Sequence, residues 1–303
     1  MKFGVRLNTI NENKRFLASY LGTKRKYGAK IASVIQDIKI DTCYDVFGGS
    51  GSLTCQLAPL FNNVVYNEKN IFVHSIVKNA YEALMTNNFD NWWNNNILPY
   101  YIDTKEKYFE LRETFNNIKT GFNTKCGIYF WLNMCCTSSL VRWNTKKSTK
   151  ENWYFNQAYN GKVVNRDNIK DVLLQGLKCV SNKNFSIYKY DYRDLPIVDN
   201  SLVLVDPPYD NTYSGYIPEE WEPEPFVEWL DKVSKNNKVC LFGATKEQDF
   251  SDSKNLKPFY DKGWKVVILS DKPFSGVSPH GVNNDSAQDR KNQLDVMLTN
   301  IGI

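Results

Sequence analysis

The sequence predicts an α/β fold, a parallel sheet covered by helices and interrupted by one long insertion. Two observations carry this. Short apolar runs alternate with helix-spaced segments at both ends of the 303-residue chain, the pattern of strands joined by crossover helices. Between residues 87 and 177 that rhythm lapses into aromatic, Asn and Lys residues. The expected organisation is a discontinuous domain, 1–86 and 178–303, carrying a mainly helical insertion over 87–177.

The elements follow in order. TCYDVF (42–47) alternates as a strand, breaks at GGSG, and leads into SLTCQLAPLF with helical spacing. NVVYNE (63–68) is a second strand and IFVHSIVKNAYEALM its helix. Inside the insertion, helices are expected near 104–118 and 125–140, followed by a polar loop, RWNTKKSTKENWYFNQAYNGK. Strands resume at FSIYKYD (185–191) and SLVLVDPPY (201–209). The helix EPFVEWLDKVSK, the strands KVCLFGA (238–244) and WKVVILS (264–270), a Gly/Asn/Asp-rich loop and the strand LDVMLTN (294–300) complete the chain.

Composition excludes several classes. No apolar run approaches the roughly 18 residues a membrane helix needs, and MKFGVRLNTINENKRF has no apolar core of a secretory signal. Seven cysteines without a CxxC spacing predict neither a disulfide framework nor a zinc site, so a reducing compartment is expected. A net charge of +5 is compatible with a polyanionic partner without demanding one. Eight tryptophans and 14% aromatic residues supply both core and surfaces for base stacking.

Two turns carry the chemistry. Gly49 and Gly51 lie where the first strand becomes a helix, and glycine lets backbone approach a ligand closely. Glu68 closes the second strand, the position from which a carboxylate accepts the ribose hydroxyls of a nucleoside cofactor. The pattern lacks both the third glycine of a dinucleotide fingerprint and a GK[ST], which favours neither NAD nor ATP. In LVLVDPPYD (202–210), two prolines cannot continue a central strand. The strand therefore stops at Asp206, leaving a carboxylate, a rigid turn and Tyr209 at the carboxyl edge. Taken alone, this is equally a proline-capped strand end without chemistry.

Phe47-Gly48-Gly49-Ser50-Gly51 resembles the FxGxG cofactor motif of DNA amino-methyltransferases, and Asp206-Pro207-Pro208-Tyr209 resembles their catalytic motif. YLGTKRK (20–26), NEKN (67–70), KYDYRDL before the catalytic strand and DRKNQLDVMLTN match further segments in the order of the Dam-like, class alpha adenine-N6 enzymes. The resemblance covers nearly the whole chain outside the insertion. It implies a Rossmann-like S-adenosylmethionine-dependent methyltransferase fold whose insertion recognises the target. The implied reaction is site-specific methyl transfer to the exocyclic amine of a flipped adenine in DNA.

On this resemblance Asp206, Pro207, Pro208 and Tyr209 are the expected catalytic residues. S-adenosyl-L-methionine is expected at Tyr20, Gly22, Lys24, Phe47, Gly49, Gly51, Glu68, Asp191, Tyr192 and Asp206. Arg142, Asn144, Lys146, Lys147, Lys150, Phe155, Asn156 and Lys162 are expected at double-stranded DNA, alongside Trp143, Trp153 and Tyr154. No metal and no membrane are implied. A monomer in the cytoplasm of a bacterial or phage-infected cell is expected, with a cognate restriction endonuclease as a further partner. His74 and His280 are given no catalytic role. Extra residues between Arg142, Asn144, Phe155, Asn156 and Gly161, and QAY where relatives carry V-P, depart from the GATC-reading pattern. Gly243 and Ala244 stand where relatives place Ser and Asn. Cytosine N4 or an RNA base presents the same electronic problem and stays open, as does a DNA-binding protein without turnover.

Overall fold

The structure is a computed structural model that describes residues 10–11, 13–20, 22–119, 121–137, 141–144, 146–149, 153–209, 221–246, 249–270 and 293–302. Seven strands form one sheet: β1 (Thr42–Asp45), β2 (Asn63–Asn67), β3 (Asn184–Tyr188), β4 (Leu202–Val205), β5 (Lys238–Lys246), β6 (Lys265–Ile268) and β7 (Gln293–Thr299). Their spatial order is β3-β2-β1-β4-β5-β7-β6. The chain runs outward from β1 to β3, then returns to β4 on the other side of β1. Between β1 and β4 it therefore leaves the crevice in which open α/β sheets bind ligands.

The five strands from β3 to β5 are parallel. β7 departs from the expected parallel sheet, inserting antiparallel between β5 and β6 with Phe242 opposite Met297 and Val267 opposite the same residue. Both faces of the central strands are covered, so their side chains alternate between two cores. Leu202, Leu204, Cys240, Phe242 and Met297 enter one; Val203, Val205, Val239, Leu241 and Val296 enter the other.

The first core is covered by α1 (Gly28–Ile35), α2 (Ser52–Leu57) and α3 (Ile71–Met85). α3 starts where Asn70 Oδ1 accepts from the N–H groups of Phe72 and Val73, satisfying two donors a helix start leaves open. The insertion adds α4 (Phe89–Asn96), α5 (Lys105–Asn117) and α6 (Phe122–Cys135). Its core is continuous with that of the sheet. Trp131 is fully buried and donates from Nε1 to the Ile97 carbonyl at 2.7 Å. Phe72 of α3 stacks on Tyr129 of α6 at 5.0 Å.

α7 (Arg166–Val180) was not anticipated, although Asn165 caps it and Leu173, Leu177 and Val180 repeat at helical spacing. It packs on α2 and α3 and runs through position 177, where the boundary of the insertion was expected. The second core is covered by α8 (Pro223–Ser234) and α9 (Lys257–Asp261). Among the described residues no helix is long and apolar enough to cross a membrane.

Candidate active site

The glycine turn after β1 is closed from above by the segment that precedes α1. Phe16 and Leu17 donate their N–H groups to the Ser50 carbonyl at 2.8 and 3.1 Å. Gly51 has φ +70°, and a Cβ there would lie 2.1 Å from the Phe16 ring. Conformation and contact both require glycine. Gly49 has φ +51°, with the Tyr20 ring 3.0 Å from where its Cβ would be. Asp45, buried at the end of β1, accepts from Thr54 Oγ1 at 2.6 Å and from Thr54 N at 3.2 Å. It thereby ties the strand to the first turn of α2.

Glu68 is the joint between this turn and β2. Its Oε2 accepts from Gly49 N and its Oε1 from Asn70 N, each at 2.7 Å. Burial pushes its carboxyl up to about 7 despite both donors. Asn67 fastens the neighbouring loops, donating to the Val46 and Tyr190 carbonyls and accepting from Tyr190 N.

Asp191 follows β3. Burial raises its carboxyl, but the Arg193 guanidinium and Lys69 ammonium outweigh that and hold it well below the usual carboxylate range. Arg193 Nε lies at 2.7 Å and Lys69 Nζ at 2.8 Å. Tyr192 faces Phe47 at 5.7 Å and Trp221 at 5.6 Å, and Trp221 meets Phe47 at 5.8 Å. These three rings form an aromatic wall beside the glycine turn.

At the end of β4, Asp206 Oδ2 accepts from Lys24 Nζ at 2.9 Å. Lys24 also donates to the Gly22 carbonyl at 2.9 Å and lies 4.9 Å above the Tyr209 ring. Asp206 Oδ1 is buried. Burial raises the Asp206 carboxyl, and the Lys24 ammonium opposes the rise, as does the Tyr209 side chain, which also acts on this carboxyl. Lys24, Asp206 and Tyr209 thus converge from the N-terminal segment and from the proline turn, although 182 residues separate the first pair.

The expected nucleic-acid residues divide. Lys146, Lys147, Asn156 and Lys162 are exposed, and Arg142 and Asn144 are half-buried. Lys147 Nζ lies 4.8 Å over the Tyr154 ring. Asn144 shapes its own turn, accepting from Lys147 N at 3.2 Å. Phe155 requires correction: it is fully buried, and its backbone N–H and carbonyl are both bonded to the Asn116 side chain. Trp143 is likewise buried, stacked parallel to Tyr129 at 6.0 Å. An aromatic run next to lysines reads as a stacking surface in sequence, yet here its rings hold the loop to α3, α5 and α6. Lys150 and His280 lie outside the described residues.

Two residues of the site carried no signal in the sequence. Trp221 follows the proline turn by a dozen residues without a recognisable pattern. Asn255, 47 residues beyond Pro208, donates from Nδ2 to the Pro208 carbonyl at 2.9 Å. Among the described residues no group of three or more His, Cys, Asp or Glu side chains could hold a metal ion.

A doubly wound sheet with a reversed seventh strand, with a glycine turn and an acid at the ends of its first two strands, defines a Rossmann-like methyltransferase fold. Residues 20–262 match the D12 class N6 adenine-specific DNA methyltransferase family, and the chain belongs to that family. Its activity is methylation of adenine N6 in DNA. Among solved structures, a precorrin-6y C5,15-methyltransferase from Geobacter metallireducens GS-15 is similar at 13% identity and TM-score 0.37, over 93% of this chain and 92% of that one. No curated protein matches the chain.

Proposed function

We propose that the chain transfers the methyl group of S-adenosyl-L-methionine to the N6 amine of an adenine flipped out of double-stranded DNA, with Asp206, Pro207, Pro208 and Tyr209 as the catalytic turn. The Asp206 carboxyl is the observation that carries this assignment: it stands at the end of β4 with Oδ2 held by Lys24 and Oδ1 buried, an acceptor placed to take a hydrogen bond from a substrate amine.

The residues at the sheet edge fit the cofactor. Each Glu68 oxygen takes one backbone N–H and keeps a lone pair for a ribose hydroxyl. Asp191 accepts from the adenine amine, and Tyr192 with Phe47 walls the ring. Gly49 and Gly51 let the backbone pass close, while Tyr20, Gly22 and Lys24 serve the methionine end. Bound there, the sulfonium supplies an electrophilic methyl group.

The N6 lone pair of adenine is delocalised into the ring. Asp206 Oδ1 accepts one N6 hydrogen and the Pro207 carbonyl the other, which draws the nitrogen towards a pyramidal form and returns the lone pair to it. Two consecutive prolines hold that carbonyl in a fixed direction, so the acceptors are oriented before the base arrives. Tyr209 stacks on the flipped base and offsets part of the few kcal/mol that unstacking costs. Asp206, whose carboxyl burial already holds above its ordinary value, receives the proton that N6 sheds.

The insertion, 87–177, is assigned to target recognition. Arg142, Asn144, Lys146, Lys147, Asn156 and Lys162 face the duplex, lysines on phosphates and a few side chains on base edges.

Incubation with methyl-labelled S-adenosyl-L-methionine and unmethylated genomic DNA, with bulk RNA and D206A in parallel, tests the proposal. Nucleoside analysis should find N6-methyladenine in DNA with the wild type and none with D206A. Label on cytosine or in RNA, or turnover retained by D206A, would overturn it.

A further inference from the structure

We infer that Asn255 is a positioning residue of the catalytic turn, setting the direction of the Tyr209 ring through the Pro208 carbonyl. The inference rests on the proposed role of the Asp206–Tyr209 turn and extends it to a residue that lies in none of the motifs.

Asn255 is 2% exposed, and both ends of its amide are engaged at the site. Nδ2 donates to the Pro208 carbonyl at 2.9 Å, and Oδ1 accepts from Trp221 Nε1 at 3.4 Å. The Pro208 carbonyl belongs to the peptide that joins Pro208 to Tyr209. Proline fixes φ but leaves ψ to be set by something else. A buried donor on that carbonyl sets it, and with it the direction from which the Tyr209 side chain departs. The Pro207 carbonyl stays available for the amine of the base.

The placement of Asn255 is itself built into the fold. It lies in a turn that follows β5, where Ser253 accepts from Leu256 N through Oγ and from Lys257 N through its carbonyl, both at 3.1 Å. Leu256 then seats directly on Gly243 of β5: a Cβ at 243 would lie 2.6 Å from Leu256 Cδ1. Gly243 therefore makes the room that lets this turn close on the sheet and deliver the amide to Pro208. At Gly243, one of the two positions that depart from the relatives' Ser and Asn, the missing side chain is used to pack Leu256 under the turn.

The second bond joins Asn255 to the aromatic wall, since Trp221 also meets Phe47 and Tyr192. A change that keeps the acceptor for Trp221 but removes the donor to Pro208 separates the two contacts. N255D does this: a carboxylate still accepts from the indole but repels the carbonyl.

Wild type, D206A and N255D are compared for turnover on genomic DNA, for S-adenosyl-L-methionine affinity by calorimetry, and for thermal midpoint. For N255D we expect turnover lower by about 10–100-fold, the range that a misplaced reacting group produces. Cofactor affinity should stay within about threefold and the protein should remain folded at the assay temperature, because the loss is of orientation and not of binding. Wild-type turnover in N255D would overturn the assignment. So would a loss of cofactor affinity as large as the loss of turnover, which would place Asn255 in the pocket wall. N255A, which brings no charge to the carbonyl, repeats the comparison if N255D does not fold. An inactive wild type, or an active D206A, would instead sink the reading of the turn itself.

Discussion

Glu68 allows the electrostatics of the site to be tested without any substrate. Its carboxyl is pushed by burial from 4.5 to about 7 in the folded protein. At roughly 1.4 kcal/mol per pH unit, the gap corresponds to about 3 kcal/mol. The sign follows from proton counting. Between pH 4.5 and 7 the folded chain keeps a proton on Glu68 that the unfolded chain has released, so stability falls as pH rises through this window. Its contribution is fully present below the unfolded value and constant above about 7. Asp45, also pushed up to about 7 by burial, adds a slope of the same sign, so the comparison must be made between variants.

E68Q removes the titration and sets an amide N–H₂ against one of the two backbone donors, from Gly49 or Asn70. Leaving one buried donor unsatisfied costs about 1–3 kcal/mol. At pH 4.5 the variant should therefore be less stable than the wild type by about that amount. By pH 8 the wild type has lost the about 3 kcal/mol of its carboxyl, and the variant should be equal to it or up to about 2 kcal/mol more stable. Urea unfolding followed by tryptophan fluorescence at pH 5, 6, 7 and 8 reads the gap directly. A gap that stays constant from pH 5 to 8 would refute the argument, because Glu68 would then titrate as an ordinary exposed carboxyl does.

Three further outcomes are expected. K24M removes the ammonium that opposes the rise of the Asp206 carboxyl, so the acidic limb of the turnover–pH profile should move to higher pH; an unmoved limb would separate Lys24 from the acid. F155A empties a fully buried ring site and should cost about 3–5 kcal/mol in unfolding experiments. Where it remains folded, the salt dependence of its DNA binding should match the wild type, and a changed dependence would return Phe155 to the interface. K146A with K147A removes two exposed cations and should reduce the slope of log K against log salt by about 2; an unchanged slope would exclude both from phosphate contact.

Sequence alone determined the features that are local. Leu202–Val205 is apolar at every position, and two prolines follow, so a buried strand ending in Asp206 is written in nine consecutive residues. The glycine turn is equally local, because a φ of +70° at position 51 is one that glycine adopts without strain. Glu68 was legible for the same reason, as an acid closing a short apolar run. What sequence could not supply was pairing between distant segments. The reversal of β7 depends on a register with β5 and β6 that no local pattern encodes. α7 is local in its cap and spacing, but the change of composition after position 87 hid it within the insertion. The loop aromatics were misplaced because a Trp or Phe beside lysines has the same local pattern whether its ring meets a base or a core. Burial of Trp143 and Phe155 is settled by α3, α5 and α6, helices outside the loop itself. Asn255 is the extreme case. Its amide acquires meaning only when Gly243 admits Leu256 and the turn closes over Pro208, two contacts that exist solely in the folded chain.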